Sequence, residues 1–309
     1  MTVLFYSQTD APQPWREALA RELPGMQFRV WPDAGPLDRV SYALVWKPPL
    51  GLLKTLPALK GILSLGAGVD HLFLDPDLPR GVPIVRMVDA GYAQQMSEYA
   101  LYGVLHFHRN MGDYLAQQRR GEWRPLTAVT AAECSVGVMG LGILGLDFVR
   151  AVLALGYRVL GWSRTPKDLP GVVTFDGPDG LQPFLARSRI LVNFLPLTSH
   201  TRGILNARTF AGLPRGAALI NIARGAHLVE ADLLAALDSG QLSGALLDVF
   251  QEEPLPSGHP FWQHPKIFMT PHVAGQAIAE LMVSQVVDNI RRIERGEPPL
   301  GLVDPARGY

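Results

Sequence analysis

Apolar positions along this chain fall into short runs parted by polar, glycine-bearing and proline-bearing stretches. In the first third, strand-type runs at 3–6, 43–45, 61–65 and 84–85 alternate with helix-like segments such as 14–23. Residues 91 to about 119 then read as one helical region without proline, carrying the chain from a first domain into a second. From Cys134 the alternation restarts. Strands are expected at 136–139, 158–162, 190–193, 218–221, 245–249 and 267–270, and helices at 144–155, 181–186, 231–238 and 277–295. Strands alternating with helices imply parallel sheets covered by helices, so the pattern predicts an α/β protein of two doubly wound domains. The last helix has no strand after it to pair with, and its return to the first domain is expected.

Length and composition narrow this picture. A chain of 309 residues suits two domains. Lysine plus arginine number 28 and aspartate plus glutamate number 28, and this balance argues against a generally basic nucleic-acid binder. The one cysteine, Cys134, excludes an intrachain disulfide, a CxxC redox pair and a cysteine-rich zinc site, and it fits a reducing compartment. The N-terminal MTVLFYSQTD lacks the basic region of a signal peptide. The longest apolar region, from Ser135, is broken by Asp147 and Arg150 and falls short of a membrane span. A soluble, cytoplasmic, two-domain protein is expected.

The segment Gly140-Leu-Gly142-Ile-Leu-Gly145 satisfies GxGxxG. The pattern alone is weak, but here it follows an apolar strand and opens an amphipathic helix, the context a dinucleotide fold requires. Gly140 would allow the tight turn, Gly142 the approach of a pyrophosphate, and Gly145 close helix–strand packing, with the phosphates at the positive end of the helix. The alternative is a glycine-rich corner that binds nothing. An acidic residue about 20 positions on would bind the ribose hydroxyls of NAD. Ser163 stands there instead, 23 positions after Gly140, followed by Arg164, Thr165 and Lys167. A carboxylate would repel a 2′-phosphate, whereas a serine and an arginine can hold one, so NADP(H) is the expected cofactor and NAD(H) the second choice. The plainer alternative is a solvated turn with two surface cations.

Three chemistry-bearing side chains follow apolar strands: Arg224, Glu253 and His272. Taken singly, each has an ordinary structural account. Together, behind a nucleotide fingerprint, they suit reduction of a carbonyl beside a carboxylate. The arginine binds and polarises the 2-oxo acid, the histidine supplies the proton, and the glutamate holds that histidine protonated and oriented.

These segments resemble the D-isomer-specific 2-hydroxyacid dehydrogenase family. The resemblance rests on Ser64-Leu-Gly-Ala-Gly-Val-Asp70, the glycine fingerprint, Leu195-Pro-Leu-Thr198, Asn221-Ile-Ala-Arg-Gly225, Leu247-Asp-Val-Phe250 with Glu253-Pro254, and Thr270-Pro-His272. Trp46-Lys-Pro-Pro49, Glu98-Tyr99, Trp162-Ser-Arg164 and Asp304-Pro-Ala-Arg-Gly-Tyr309 are similar to a branch of that family that reduces glyoxylate and hydroxypyruvate with NADPH. The resemblance implies a Rossmann-type nucleotide domain at 98–274 and a smaller, flavodoxin-like substrate domain assembled from 1–97 and 275–309. It implies that Arg224, Glu253 and His272 are catalytic. It also implies that N–H groups around Ala67 and Gly68 hold the substrate carboxylate, and that Asp248 faces the nicotinamide carboxamide. Ile143, Leu144, Leu195, Pro196, Thr201, Ile222, Ala223 and Gly275 would join the glycines and Ser163–Lys167 around the cofactor. Family members are commonly homodimers joined through the nucleotide domain and the long helical arm. Most carry an acidic residue at the position of Ser163, and the departure here fits the NADPH-using branch.

The implied reaction is NADPH-dependent reduction of a short 2-oxo acid to a 2-hydroxy acid. Trp46 either walls a pocket that limits substrate size or packs in a core or interface. Arg86 is a second candidate pocket cation. Two other readings stay open: a dehydrogenase for larger substrates such as phenylpyruvate, and a nicotinamide-sensing, corepressor-like binding protein without turnover.

Overall fold

The computed structural model describes residues 1–88 and 90–309. The chain divides into two compact units, Met1–Tyr92 with Gln276–Tyr309, and Ala93–Gly275. The first divide falls inside a continuous helix, five residues before the expected boundary at 97/98, and the second falls one residue after the expected 274/275.

The smaller unit holds β1 (Thr2–Ser7), α1 (Pro12–Glu22), β2 (Gln27–Val30), β3 (Tyr42–Trp46), β4 (Gly61–Ser64) and β5 (Ile84–Val85). Its five strands are parallel in the order β2-β1-β3-β4-β5, the flavodoxin-like arrangement. Leu4, Ala43, Val45, Ile62 and Ile84 fill one side of this sheet together with Leu53, Val69 and Leu72 from the loops.

The chain leaves along α2 (Ala90–His108) and α3 (Met111–Arg120). The sequence pattern predicts a single helix here, and the structure corrects it: the helix breaks at Asn110, whose φ of 55° is left-handed. Asparagine takes that conformation more readily than most residues, so a helical run without proline can still be cut.

The larger unit continues with β6 (Ser135–Met139), α4 (Ile143–Ala154), β7 (Arg158–Ser163), β8 (Val172–Asp176), α5 (Gly177–Leu185), β9 (Ile190–Asn193), α6 (Ala207–Gly212), β10 (Ala217–Asn221), α7 (Glu230–Asp238), β11 (Leu242–Leu247) and β12 (Ile267–Met269). Its parallel sheet runs β12-β11-β10-β9-β6-β7-β8. The central strands are unbroken apolar runs because both faces of the sheet are covered. The expectation of two doubly wound domains, one Rossmann-type and one flavodoxin-like, therefore holds. Strands β2 and β8 were not expected from the sequence. Both lie at sheet edges, where half-buried Gln-Phe-Arg-Val and Val-Val-Thr-Phe-Asp carry a weak apolar signal.

The final helix, α8 (Ala279–Glu294), belongs to the smaller unit, as its lack of a following strand suggested. Met282, Val283, Val286, Val287 and Ile290 form its buried stripe, three and four residues apart. Beyond it the tail joins β5: the Val303 N–H donates to Ile84 O at 2.9 Å. Among the described residues, no helix is long and apolar enough to cross a membrane.

Candidate active site

Because the strands of the larger sheet are parallel, every carboxyl end opens on one edge. The register sets those ends level: Met139 pairs with Asn193 and Trp162, Asn193 with Asn221, Asn221 with Leu247, and Leu247 with Met269. The residues just beyond carry the site. The chain reverses its direction of strand addition between β6 and β9, and doubly wound sheets bind ligands at such a switch point.

The glycines flank that point and meet different constraints. Gly140 has φ 98°, and a Cβ on it would come within 2.9 Å of the Phe194 carbonyl carbon and oxygen. A Cβ on Gly145 would lie 1.9 Å from the Gly140 oxygen, so only glycine lets α4 seat against the turn. Gly142, the residue before the first turn of α4, has no protein atom within 4 Å of its Cβ direction. Protein packing therefore explains two of the three glycines. The third faces open space at the positive end of a helix, as a cradle for a pyrophosphate would require, and the residues present fit a dinucleotide.

At the end of β7 the Ser163 side chain is buried and its hydroxyl donates to Thr165 O at 2.8 Å. Arg164, Thr165 and Lys167 are exposed on the turn that follows. On the neighbouring strand β8, Asp176 is the register partner of Ser163. Ser163 thus shapes the turn, and its exposed neighbours supply the charge.

Between β9 and β10 lies a polar network that sequence reasoning missed. Asn193 and Asn221, both fully buried, close apolar strands, and Asn193 Nδ2 donates to Asn221 Oδ1 and to His227 Nδ1, each at 3.0 Å. With Nδ1 accepting, buried His227 carries its proton on Nε2, which donates to Pro196 O at 3.3 Å. Asn193 Oδ1 also accepts from Leu195 N–H at 3.1 Å, while Thr201 Oγ1 donates to Pro196 O at 2.7 Å. The network fixes the Leu195–Pro196 loop on one side. On the other, Asn221 Nδ2 donates to Arg224 O at 3.1 Å. An amide closing an otherwise apolar strand was the available signal.

Arg224 follows β10 and is half-buried, its Nη1 donating to Ala223 O at 2.8 Å. Ile222 and Ala223, which precede it in the chain, are buried. After β11 come Asp248 and, on the next loop, Glu253. After β12 comes His272. His272 Nδ1 meets Glu253 Oε2 at 2.9 Å, and Glu253 Oε1 accepts the Phe250 N–H at 3.1 Å. The carboxylate bound at Nδ1 sets the orientation of the imidazole. Both side chains are only about a quarter exposed. Asp248 is fully buried, and its Oδ1 accepts from Thr270 Oγ1 at 2.6 Å and from Val273 N–H at 2.8 Å. Its Oδ2 accepts from Ala274 N–H at 2.8 Å, in the turn that reaches Gly275.

The remaining expected residues lie in the smaller unit. Trp46 ends β3, and its ring covers Gly66, where a Cβ would come within 2.5 Å of it, and meets His71 with centroids 4.5 Å apart. Ala67 and Gly68 follow β4 and are half-buried. Arg86, just past β5, donates its N–H to Gly301 O at 3.0 Å. Burial pushes its guanidinium down, opposed by Tyr309.

A glycine-bearing turn at the switch point, with an arginine and a histidine–glutamate pair on neighbouring strand ends, defines a dinucleotide-dependent oxidoreductase. The sequence model for the D-isomer specific 2-hydroxyacid dehydrogenase NAD binding domain matches residues 101–274. The glyoxylate/hydroxypyruvate reductase A of Yersinia enterocolitica is 44% identical over the whole of both chains. A D-isomer specific 2-hydroxyacid dehydrogenase from Xanthobacter autotrophicus, solved with NADPH and MES, is 47% identical with a TM-score of 0.96, covering 100% of this chain and 99% of that one. An NADPH-dependent glyoxylate/hydroxypyruvate reductase from Sinorhizobium meliloti, solved with NADP and sulfate, is 41% identical with a TM-score of 0.94 and the same coverage. The chain belongs to the D-isomer-specific 2-hydroxyacid dehydrogenase family.

Proposed function

We propose that this enzyme reduces short 2-oxo acids, glyoxylate and hydroxypyruvate foremost, with NADPH. The observation that carries the reading is the Glu253–His272 pair, 2.9 Å apart, on the same sheet edge as Arg224 and the glycine turn. A bound nicotinamide supplies the hydride, and the chain's residues do the rest. Arg224 grips the carboxylate and carbonyl oxygen of the substrate. His272 Nε2 gives the carbonyl oxygen its proton, and Glu253 stabilises the imidazolium before that transfer. Ala67 and Gly68 offer backbone N–H groups to the carboxylate. The larger unit is the dinucleotide domain and the smaller one the substrate domain. Asp248, near the base of the site, takes the carboxamide.

NADPH is preferred because Arg164, Thr165 and Lys167 offer donors and charge to a 2′-phosphate, while position 163 carries no carboxylate to repel it. The names and bound cofactors of the relatives support the same choice. Initial rates with glyoxylate, hydroxypyruvate and phenylpyruvate, each with NADPH and NADH, test both halves. NADPH should lead by roughly tenfold or more in kcat/KM, and Ser163→Asp should reverse the order. Equal use of both cofactors overturns the cofactor assignment, faster turnover of phenylpyruvate overturns the substrate class, and absence of turnover overturns the enzyme reading in favour of a sensor.

The assembly we propose is a cytoplasmic homodimer. Tyr102, Leu105, Met111, Leu115 and Trp123 are exposed along α2, α3 and the loop beyond, and Trp123 is fully so. A second copy is the natural cover for such a stretch. Sedimentation equilibrium should return twice the chain mass of 33.8 kDa, and Trp123→Ser with Leu115→Ser should return the monomer. A wild-type monomer would remove this proposal.

A further inference from the structure

His272 sits in a backbone conformation that needs support. Its φ is 55°, in the left-handed region where a side chain with a Cβ is strained. Within the turn, the His272 N–H donates to Thr270 O at 3.1 Å. Its far side hangs on Asp248, which accepts the N–H groups of both Val273 and Ala274 at 2.8 Å. Asp248 is itself held by Thr270 Oγ1 at 2.6 Å, and Thr270 Oγ1 is hydrogen-bonded to Tyr99 Oη on α2. The direction of this chain follows from inventory. A carboxylate only accepts, so the single Thr270 hydroxyl proton goes to Asp248 and the Tyr99 hydroxyl must be the donor to Thr270.

We infer that Tyr99 and Thr270 are positioning residues for His272, acting through Asp248 to hold the turn that aims the imidazole. The inference rests on the proposed role of His272 and deepens it. Burial pushes the Asp248 carboxyl up, and the hydrogen bonds of Thr270, Val273 and Ala274, followed by the charge of His272, pull it back. Burial also pushes the Tyr99 phenol far up, so it stays protonated as the donor. The titratable groups set against Asp248 include His272 from the turn after β12 and Tyr99 from α2. Removing the Thr270 hydroxyl therefore lets Asp248 protonate at higher pH, and a protonated Asp248 holds the two turn amides less well.

The test compares wild type, Thr270→Val, Thr270→Ser and Tyr99→Phe in two measurements across acidic to neutral pH. The first is hydrogen exchange at the Val273 and Ala274 amides, which needs no substrate or cofactor. Thr270→Val should lose their protection about one pH unit above wild type, Tyr99→Phe should move the same way by less, and Thr270→Ser should restore the wild-type curve. The second is kcat/KM for glyoxylate with NADPH. Its acid limb should move with the exchange curve, so that Thr270→Val loses up to about tenfold against wild type on the acid side while changing little at neutral pH. A uniform loss at all pH values, or exchange curves that coincide for all four proteins, overturns the inference. An inactive wild type overturns the proposed reaction, and the exchange curves still decide the positioning role.

Discussion

His272→Ala should lower kcat for glyoxylate reduction by about two to four orders of magnitude and leave the Kd for NADPH nearly unchanged. General acid catalysis by a positioned side chain is worth about that factor. In the proposed reaction His272 is the group that supplies it. His272 presents Nε2 because Nδ1 is occupied by Glu253 at 2.9 Å, and Glu253 is itself aimed by the Phe250 N–H at 3.1 Å. Glu253→Gln keeps a hydrogen-bond acceptor for Nδ1 but removes the negative charge. It should therefore cost less than His272→Ala, on the order of tenfold to a hundredfold in kcat. The double variant should be no slower than His272→Ala alone, since the glutamate acts only through the histidine. Near-normal kcat in His272→Ala would remove it as the acid, and additive losses in the double variant would give Glu253 a separate job.

The sequence made much of this site legible because parallel strands buried on both faces must be apolar throughout. A charged or polar group soon after such a run then stands out, as Arg224, Glu253 and His272 do, whereas Asp248 fell inside the expected strand 245–249 and was reached only through the family resemblance. The glycine turn was readable for a related reason. Two of its three glycines are demanded by backbone contacts, and the spacing records those contacts. Legibility failed where the signal depends on a neighbour. Asn193 and Asn221 look like ordinary strand ends until the register sets them side by side, and His227 has meaning only once Asn193 reaches it. Tyr99 was visible in α2, but its link to Thr270 spans 171 residues of sequence. Edge strands β2 and β8 were missed because each has one partner and one partly wet face. The break at Asn110 turns on a single backbone angle, which an apolar pattern does not record. The identity of Ser163 was legible, but not that its hydroxyl turns inward to Thr165 O. The proposed phosphate grip is accordingly assigned to the exposed residues after it.

The zero net charge of the chain also acquires a local meaning. Cations sit at the ends of β7 and β10, where a phosphate and a carboxylate would be met, while the acidic groups Asp248 and Glu253 stand behind the loop and ring they support. Asp248 and Glu253 each accept backbone N–H groups of their own loops, from Val273 and Ala274 and from Phe250. In the proposed reaction the Arg224 guanidinium meets the substrate, so it is a position where substitution should be felt strongly.

Arg224→Ala should accordingly lower kcat/KM for glyoxylate by about two to four orders of magnitude, through both a higher KM and a lower kcat. A hydrogen bond to a charged group contributes roughly 1.5–3 kcal/mol, and the loss of two such contacts spans that range at about 1.4 kcal/mol per decade. The split follows from the two oxygens involved. The carboxylate is equally charged before and during reduction, so its contact sets binding and appears in KM. The carbonyl oxygen gains negative charge only as the hydride arrives, so its contact strengthens in the transition state and appears in kcat. Arg224→Lys keeps the charge but presents one point donor instead of a planar fork, and it should recover binding better than rate. Arg224 Nη1 donates to Ala223 O at 2.8 Å, which fixes the plane of the fork, and lysine has no such fixed plane to offer. Added guanidinium should restore part of kcat in the alanine variant and none in the lysine variant. If Arg224→Ala changes KM alone, the arginine binds the carboxylate and leaves the reacting carbonyl to His272; if neither constant moves, it lies outside the site.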